Sequence, residues 1–319
     1  MESKKLAAQI SRGDRRALSK AITVVENGGP ESTSLLRAIG PRLGHAFVIG
    51  VTGPPGTGKS SLVDRLTEVY RKKGLRVGIV AIDPTSPITG GALLGDRIRM
   101  VDHTMDQGVF IRSMASRGWA GGLSASVAEV VQLFDASGAD VVMVETVGIG
   151  QSDTDVVRVA HAVVVVLMPG LGDDVQASKA GLMEIGDVYV VNKADLPGAD
   201  DMVVDLLAMA RDARGRNPSV LKVSATKREG IETAVSVLEG LRSKFTTSGS
   251  AGGEAMRLRS IKGMITERSR KKALSVLEGS GPRVESLAKR VVAHEMTIDE
   301  AADSLLAPGR DRGKPRARR

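Results

Sequence analysis

The chain has 319 residues, a net charge of +8 and a hydrophobic fraction of 42%, enough for one large domain with appendages or for two modest domains. It contains no cysteine, which excludes disulfides, thiolate metal sites and a cysteine nucleophile. No apolar run approaches the roughly 18 residues of a membrane span, and the N-terminus lacks the apolar region of a secretory signal, so we expect a cytoplasmic protein without a membrane contact.

The first 44 residues are predicted to form an N-terminal helical extension. Ser11 and Asp14 resemble a capping box, and the segment that they open places apolar side chains on one face as far as Glu26. A second short helix is predicted to follow Ser32 and to end before Pro41, which cannot continue a helix.

Residues 45–245 are predicted to form an α/β domain. Short β-branched runs alternate there with amphipathic helical stretches, and the near-continuous hydrophobicity of the runs is typical of strands covered on both faces. The runs are AFVIGVTG, RVGIVAID, VFIRSM, VVMVETVG, AVVVVLMPG, VYVVNKAD and VLKVSAT. This alternation predicts a doubly wound, mostly parallel sheet, in which ligands bind at the carboxyl ends of the strands.

Residues 246–319 are predicted to form a linker, a helical segment and a basic tail. The stretch TTSGSAGG, residues 246–253, has the composition of a linker, and helices are predicted over 254–279 and 283–294. Thr297 and Glu300 form a second predicted capping box. Residues 310–319 hold six basic residues and one acidic residue but no aromatic platform, which favours a solvated tail over nucleic-acid binding.

One segment between a predicted strand and a predicted helix matches the phosphate-binding pattern G-x-x-x-x-G-K-[ST]. It consists of Gly53, Pro54, Pro55, Gly56, Thr57, Gly58, Lys59 and Ser60, followed by Ser61. Its backbone N–H groups are predicted to cradle the β-phosphate, and Lys59 is predicted to act in catalysis by reaching the β- and γ-phosphate oxygens. The alternative, a chance glycine-rich turn, is disfavoured by the strand before it and the helix after it.

Two further motifs predict recognition of guanine, N-K-x-D and S-A-x. Their residues are Asn192, Lys193 and Asp195, and Ser224, Ala225 and Thr226. The Asp195 carboxylate can accept hydrogen bonds from N1–H and from the exocyclic amine of guanine, whereas adenine would leave it unpaired. Lys193 would lie over the base, and the Ser224–Thr226 loop would meet the guanine O6. By itself the first motif could be a solvated turn, but the combination with a phosphate loop predicts a GTP/GDP site.

Carboxylates at strand ends are candidates for a Mg²⁺ site. Mg²⁺ takes oxygen ligands and shares them with phosphate. The candidates are the strand-end carboxylates of Asp83 and Glu145, together with the Ser60 hydroxyl and Asp96 in the run LGDRIRM. Alternatively, Asp83 caps a turn before a proline, and Asp96 pairs with a neighbouring arginine at the surface. Gln151 is a candidate for positioning the attacking water, although it is also compatible with an ordinary surface turn.

These motifs, together with LGDRIRM, ETVGIGQSD and PGLGDDVQASKAGLMEIGDVYVVNKAD, closely resemble the MeaB/ArgK family over nearly the whole chain. These are the methylmalonyl-CoA mutase-associated GTPases of the metallochaperone-like P-loop class. The resemblance implies a G-protein chaperone that controls cofactor delivery to an adenosylcobalamin-dependent mutase and protects that enzyme.

The resemblance also implies how the chain is organised. It implies a homodimer held by the C-terminal helices, a low GTPase activity that rises on binding the mutase, and Mg²⁺ held around Ser60, Asp83, Asp96 and Glu145. The segment 170–179 would be a mobile loop that couples the nucleotide to the partner. The chain has no D-x-H-x-x-G cobalamin pattern and its four histidines are scattered, so the cofactor would belong to the partner.

Three alternative functions are considered. An ATP-dependent kinase linked to amino-acid transport is disfavoured by the two guanine motifs. A nickel-insertion GTPase usually has His-rich or Cys-containing metal sites, and the sequence shows none. An RNA-binding module is suggested only by the basic tail.

Overall fold

A seven-stranded parallel sheet forms the centre of the structure, a computed structural model that describes residues 2–83, 103, 105–115, 126–148, 154–170, 181–214, 219–247, 251–278 and 280–306. The strands are β1 (Phe47–Thr52), β2 (Val77–Asp83), β3 (Val109–Ala115), β4 (Val141–Glu145), β5 (Ala162–Leu167), β6 (Val188–Val191) and β7 (Ser219–Lys222). All seven predicted runs form strands, and the predicted doubly wound α/β class is confirmed.

The order of the strands across the sheet is β3-β2-β4-β1-β5-β6-β7. β1 is therefore central. The next three strands, β2 to β4, lie on one side of it, and the last three, β5 to β7, lie on the other side. Such a reversal opens a crevice at the carboxyl ends of the strands, where α/β proteins bind ligands. Because every pair is parallel, the residues that follow the strands lie along one edge of the sheet.

Helices cover both faces of the sheet. In chain order, the α-helices of the described residues are α1 (Glu2–Ile10), α2 (Arg15–Asn27), α3 (Gly29–Ile39), α4 (Lys59–Lys72), α5 (Val127–Ala136), α6 (Ala199–Arg214), α7 (Ile231–Thr246), α8 (Ala251–Glu278), α9 (Gly281–Val292) and α10 (Ile298–Leu306). The last part of α8, with α9 and α10, belongs to a separate compact unit and is not counted among the helices on the sheet. Successive β1 side chains face opposite layers: Val48 packs with α2 and α5, whereas Phe47 and Ile49 pack with α4 and α7. All six residues of β1 are buried, which explains its continuous apolar sequence.

The N-terminal helices differ in detail from the prediction. Asp14, not Ser11, begins α2, because its Oδ1 accepts from the backbone N–H groups of Arg16 and Ala17 at 2.9 and 3.0 Å. The Ser11 hydroxyl instead donates to the Ala7 carbonyl of the preceding helix. The predicted box of Thr297 and Glu300 is confirmed: Glu300 N–H donates to the Thr297 hydroxyl at 3.1 Å, and Thr297 N–H donates to Glu300 Oε2 at 2.8 Å.

Two compact units make up the chain, residues 1–264 and residues 265–319. The helices predicted as an extension over residues 1–44 are part of the first unit. The predicted linker is wrong in part, because Thr246 ends α7 and residues 251–253 already belong to α8. The first turns of α8 pack on the sheet domain, which stabilises a helix through glycines that are unfavourable there on their own. Arg257 donates to the Phe245 carbonyl at 2.8 Å, and Ser260 donates to the Val159 carbonyl at 3.0 Å.

Within the described residues, no helix combines the length and the apolar composition that crossing a bilayer requires.

A buried histidine lies at the edge of the sheet opposite the carboxyl ends. The His161 ring stacks on Phe245 with 4.1 Å between ring centroids, and its Nδ1 accepts from the Val48 N–H at 3.0 Å. Burial, and then the guanidinium groups of Arg259 and Arg257, lower the pKa of His161 to about 3. The histidine is therefore neutral in the folded protein, with Asp187 paired to Arg259 beside it.

We expect this histidine to make the folded state sensitive to mild acid. Below pH 6.5 the unfolded chain binds a proton at His161 that the folded chain does not, so the free energy of unfolding falls as the pH is lowered toward 3, by at most about 1.4 kcal/mol per pH unit. The variant His161→Asn keeps an amide oxygen that can accept from the Val48 N–H, but it does not titrate. Urea unfolding at several pH values should therefore show that the free energy of unfolding changes less steeply with pH in the variant than in the wild type between about pH 5 and 7. Equal slopes would contradict the assignment.

Candidate functional site

The loop from Gly53 to Ser60 joins the end of β1 to the beginning of α4. Gly53 has φ +137°, and a Cβ there would lie 2.0 Å from the Val166 carbonyl oxygen, so only glycine fits this turn. α4 begins at Lys59, which directs its first backbone N–H groups toward the loop. This is the arrangement of a helix N-terminus that binds an anion.

The Lys59 ammonium curls back over the loop. Its Nζ donates to the carbonyl oxygens of Gly53 at 2.8 Å and Pro54 at 3.0 Å, and the side chain is buried. Gly148, three residues after the end of β4, approaches so closely that a Cβ there would lie 2.5 Å from Nζ. A cation therefore lies between the loop and the segment after β4, where it can neutralise a bound polyphosphate.

Two buried oxygen groups meet beside this loop. The Ser60 hydroxyl donates to Glu145 Oε1 at 2.6 Å, and Glu145 ends β4, the neighbour of β1. Asp83 is also buried and ends β2, the strand on the other side of β4. The structure thus gathers three of the four predicted metal ligands at one edge of the sheet. Asp96 lies outside the described residues, as does Gln151.

A hydroxyl and carboxylates are the oxygen donors that Mg²⁺ prefers, so the residues fit this ion. Among the side chains that the structure describes, no three His, Asp or Glu residues form a group able to hold a metal ion. An ion at Ser60 would therefore complete its coordination with phosphate oxygens and water, as Mg²⁺ usually does.

Asn192 joins the two predicted base-recognition motifs to the phosphate loop. Its Nδ2 donates to the Thr57 carbonyl at 2.8 Å, and its Oδ1 accepts from the Ala225 N–H at 3.1 Å. The side chain is buried, and a Cβ on Gly58 would lie 2.4 Å from its Nδ2. The structure thus gives Asn192 contacts that hold two loops together.

Asp195 and the Ser224 loop are in direct contact. The Ser224 hydroxyl donates to Asp195 Oδ1 at 2.6 Å, and this hydrogen bond is the main cause that lowers the pKa of Asp195. The carboxylate is exposed and stays charged at neutral pH, as an acceptor for a base must. Lys193 adopts a left-handed backbone with φ 54°, unusual for a residue with a side chain.

A further contact between loop and helix was missed by the sequence motifs. Arg228, just after the Ser224–Thr226 segment, pairs with Glu68 of α4 at 3.0 Å. Nothing in the sequence pattern marks either residue, because they are 160 positions apart. The only local hint is that Glu68 lies on the helix that the phosphate loop begins.

The known proteins that this chain resembles include two that are named as GTPases and one whose structure is named as a transport system kinase. The GTPase ArgK of Escherichia coli is 38% identical over 252 residues, with 76% of each chain covered. A protein of Pyrococcus abyssi that is named as a GTPase is 51% identical over 233 residues, covering 71% of this chain and 72% of that protein. The crystal structure of an LAO/AO transport system kinase shares 26% identity and a TM-score of 0.67, covering 95% of this chain and 96% of the other.

The family comparison covers most of the chain. The sequence model described as methylmalonyl-CoA mutase-associated GTPase MeaB matches residues 18–277, which include the phosphate loop and both base-recognition motifs. The chain belongs to this family of P-loop GTPases, the MeaB family, and as a member it binds guanine nucleotide.

Proposed function

We propose that this chain is a Mg²⁺-dependent GTPase that acts as a chaperone of an adenosylcobalamin-dependent methylmalonyl-CoA mutase. The observation that carries the proposal is the meeting of the phosphate loop, the strand-end carboxylates and the two base motifs at one edge of the sheet, in a chain of the MeaB family. In this role GTP hydrolysis controls the loading of the mutase with its cofactor and the protection of the loaded enzyme.

The phosphate loop and Lys59 would bind the triphosphate. Lys59 would exchange its two carbonyl partners for the β- and γ-phosphate oxygens, and backbone N–H groups at the start of α4 would hold the β-phosphate. A water molecule attacks the γ-phosphorus, the bond to the oxygen that bridges the β- and γ-phosphates breaks, and GDP and phosphate leave. Gln151 is the proposed group for orienting this water.

Ser60, Asp83, Asp96 and Glu145 would hold Mg²⁺, directly or through water. When bound, the ion neutralises phosphate charge as it develops in the transition state. Because the Ser60 hydroxyl donates to Glu145, that carboxylate is already placed to orient the hydroxyl or a water at the ion.

Asp195 and the Ser224 loop would recognise the base. Asp195 accepts from guanine N1–H and from the exocyclic amine, and the Ser224 hydroxyl holds the carboxylate in the orientation that this requires. Asn192 links this base-binding part to the phosphate loop, so that the distance and orientation between the bound base and the bound phosphates would be fixed.

Support for a mutase partner comes from the relatives. The family description names methylmalonyl-CoA mutase, and a mitochondrial mouse relative, 29% identical over 266 residues, is named methylmalonic aciduria type A homolog. The sequence of this chain has no D-x-H-x-x-G cobalamin-binding pattern. The cobalamin would thus be bound by the mutase, and this chain would respond to it through the mutase.

Purified mutase provides the test. Adding the adenosylcobalamin-dependent mutase of the same organism to the full chain should raise the steady-state rate of GTP hydrolysis, and size-exclusion chromatography should show a complex. Lys59→Ala is the control, since it should form the complex without the rise in rate. No complex and no change in rate at micromolar concentrations of both proteins would refute the chaperone role.

We also propose that the protein is a homodimer whose contacts lie in the second compact unit. Ile265, Val292 and Ile298, which belong to this unit, are 61%, 79% and 75% exposed and so offer apolar surface that a partner could cover. A two-fold partner copy is a common way to cover such a surface. Light scattering of the full chain should show a dimer, and Val292→Asp with Ile298→Asp should show a monomer. A full chain that is monomeric at micromolar concentration would contradict this.

A second candidate, an ATP-dependent kinase linked to transport, is suggested only by the name of the LAO/AO transport system kinase, whose structure this chain resembles. The two functions differ in base preference. A titration in which ATP displaces bound GDP as well as GTP does would favour the kinase.

A further inference from the structure

The Glu68–Arg228 contact is bidentate. Arg228 Nη1 lies 3.0 Å from Glu68 Oε2, and Nη2 donates to Oε1 at 3.1 Å. Glu68 also pairs with Arg65, one turn earlier on α4, and Arg65 lies 3.1 Å from Asp64. Single pairs at a surface contribute little, but two parallel hydrogen bonds within a network fix geometry more firmly.

The backbone of Arg228 is held in an unfavourable conformation. Its φ is 63°, in the left-handed region that residues with a side chain seldom adopt. The turn that contains it is closed by two backbone hydrogen bonds between Ser224 and Glu229, at 3.0 and 3.1 Å. A backbone of this kind persists only where surrounding contacts hold it. Two side-chain contacts hold this turn: the Ser224 hydroxyl accepts from the Lys227 N–H at 3.3 Å, and Glu68 pairs with Arg228.

The 224–229 loop is therefore fixed at both ends. At its beginning, the Ala225 N–H donates to Asn192, which in turn donates to Thr57 of the phosphate loop. At its end, Arg228 is attached to α4 through Glu68. The first attachment is to the phosphate loop, and the second is to α4, the helix that follows this loop.

We infer that Glu68 and Arg228 are positioning residues that hold the Ser224–Thr226 segment against the guanine base and so set the lifetime of the bound nucleotide. The inference rests on the proposed role of that segment in reading guanine. Neither side chain touches the nucleotide; when their contact is lost, the loop leaves the base more often, and the nucleotide dissociates faster.

The test is the dissociation rate of a fluorescent GDP analogue from the full chain, measured by displacement with excess GDP. Arg228→Ala and Glu68→Gln should each raise this rate about three- to fivefold, and the double variant should not exceed the single ones. Arg228→Lys should recover only part of the loss, because lysine cannot form the two parallel hydrogen bonds. The association rate should be unchanged.

A ligand without a base separates positioning from general damage. Tripolyphosphate has no base and should occupy only the phosphate loop. Its affinity, measured by competition with the fluorescent GDP analogue, should be the same for Arg228→Ala as for the wild type. The matched control is Lys222→Ala, which removes an exposed pair with Asp200 near the same loop and should leave the GDP dissociation rate unchanged.

The outcomes are distinct. A dissociation rate that stays at the wild-type value in Arg228→Ala and Glu68→Gln would overturn the inference, as would an equal loss for tripolyphosphate or an equal rise in Lys222→Ala. If instead the proposed guanine site were wrong, a different experiment would show it: Asp195→Asn would keep the base preference of the wild type.

Discussion

Replacing Lys59 by alanine is expected to slow GTP hydrolysis by about 100- to 1,000-fold, the usual effect of removing one preorganised group that stabilises transition-state charge. The Lys59 ammonium is buried and held over the phosphate loop by the Gly53 and Pro54 carbonyls, so it is in place before the nucleotide binds. It would bridge the β- and γ-phosphates, and therefore GTP binding should weaken more than GDP binding. Single-turnover phosphate release and equilibrium titration with both nucleotides measure these effects.

Lys72→Ala is the matched control, because Lys72 is an exposed lysine at the end of the same helix. It should hydrolyse GTP at the wild-type rate. Equal losses of GTP and GDP affinity in Lys59→Ala would indicate a damaged loop, and a retained hydrolysis rate would show that Lys59 does not act on the γ-phosphate.

Replacing Asp195 by asparagine is expected to change the base that the protein prefers. Guanine would lose one of the two carboxylate acceptors, and its exocyclic amine would face the asparagine NH₂, which is also a donor. The affinity for GTP should therefore fall by about 100-fold or more, as sites built around a hydrogen bond reject ligands that cannot make it. Xanthine has a carbonyl in place of the exocyclic amine, and the asparagine NH₂ can donate to it. Competition between GTP and xanthosine triphosphate should therefore favour GTP in the wild type and xanthosine triphosphate in the variant.

The low pKa of Asp195 strengthens this expectation. Its hydrogen bond from Ser224 favours the charged carboxylate, so the wild type should keep its preference for guanine throughout the neutral pH range. Asp200→Asn, which changes an exposed acid on the next helix, should keep the wild-type preference. If Asp195→Asn kept it as well, the assignment of the base site would be wrong, and the kinase alternative would gain support.

Local patterns of the sequence were enough to determine the strands and the motifs. β1 was predictable because a strand covered on both faces must be apolar throughout, and Gly53 because no other residue fits its backbone. The capping box at Thr297 was predictable because both partners lie within four residues. Each of these depends on neighbours in the chain, so the sequence records it directly.

Short-range patterns gave wrong helix boundaries where two local interpretations were possible. Ser11 and Asp14 both suit the beginning of a helix, and only the path of α1 decided that Ser11 ends one helix and Asp14 begins the next. The glycines of residues 246–253 indicated a linker, but the packing of Arg257 and Ser260 on the sheet domain extends a helix back into that stretch.

The contacts that join the site together were decided by tertiary structure alone. The order of the strands places Glu145 beside Ser60, and it places Asn192 against Thr57, 135 positions away. The pair of Glu68 and Arg228 spans 160 positions and has no motif of its own. A periodic pattern can encode which residues a helix or strand buries, but a contact of this range depends on how every intervening strand is arranged, and that arrangement leaves no local trace.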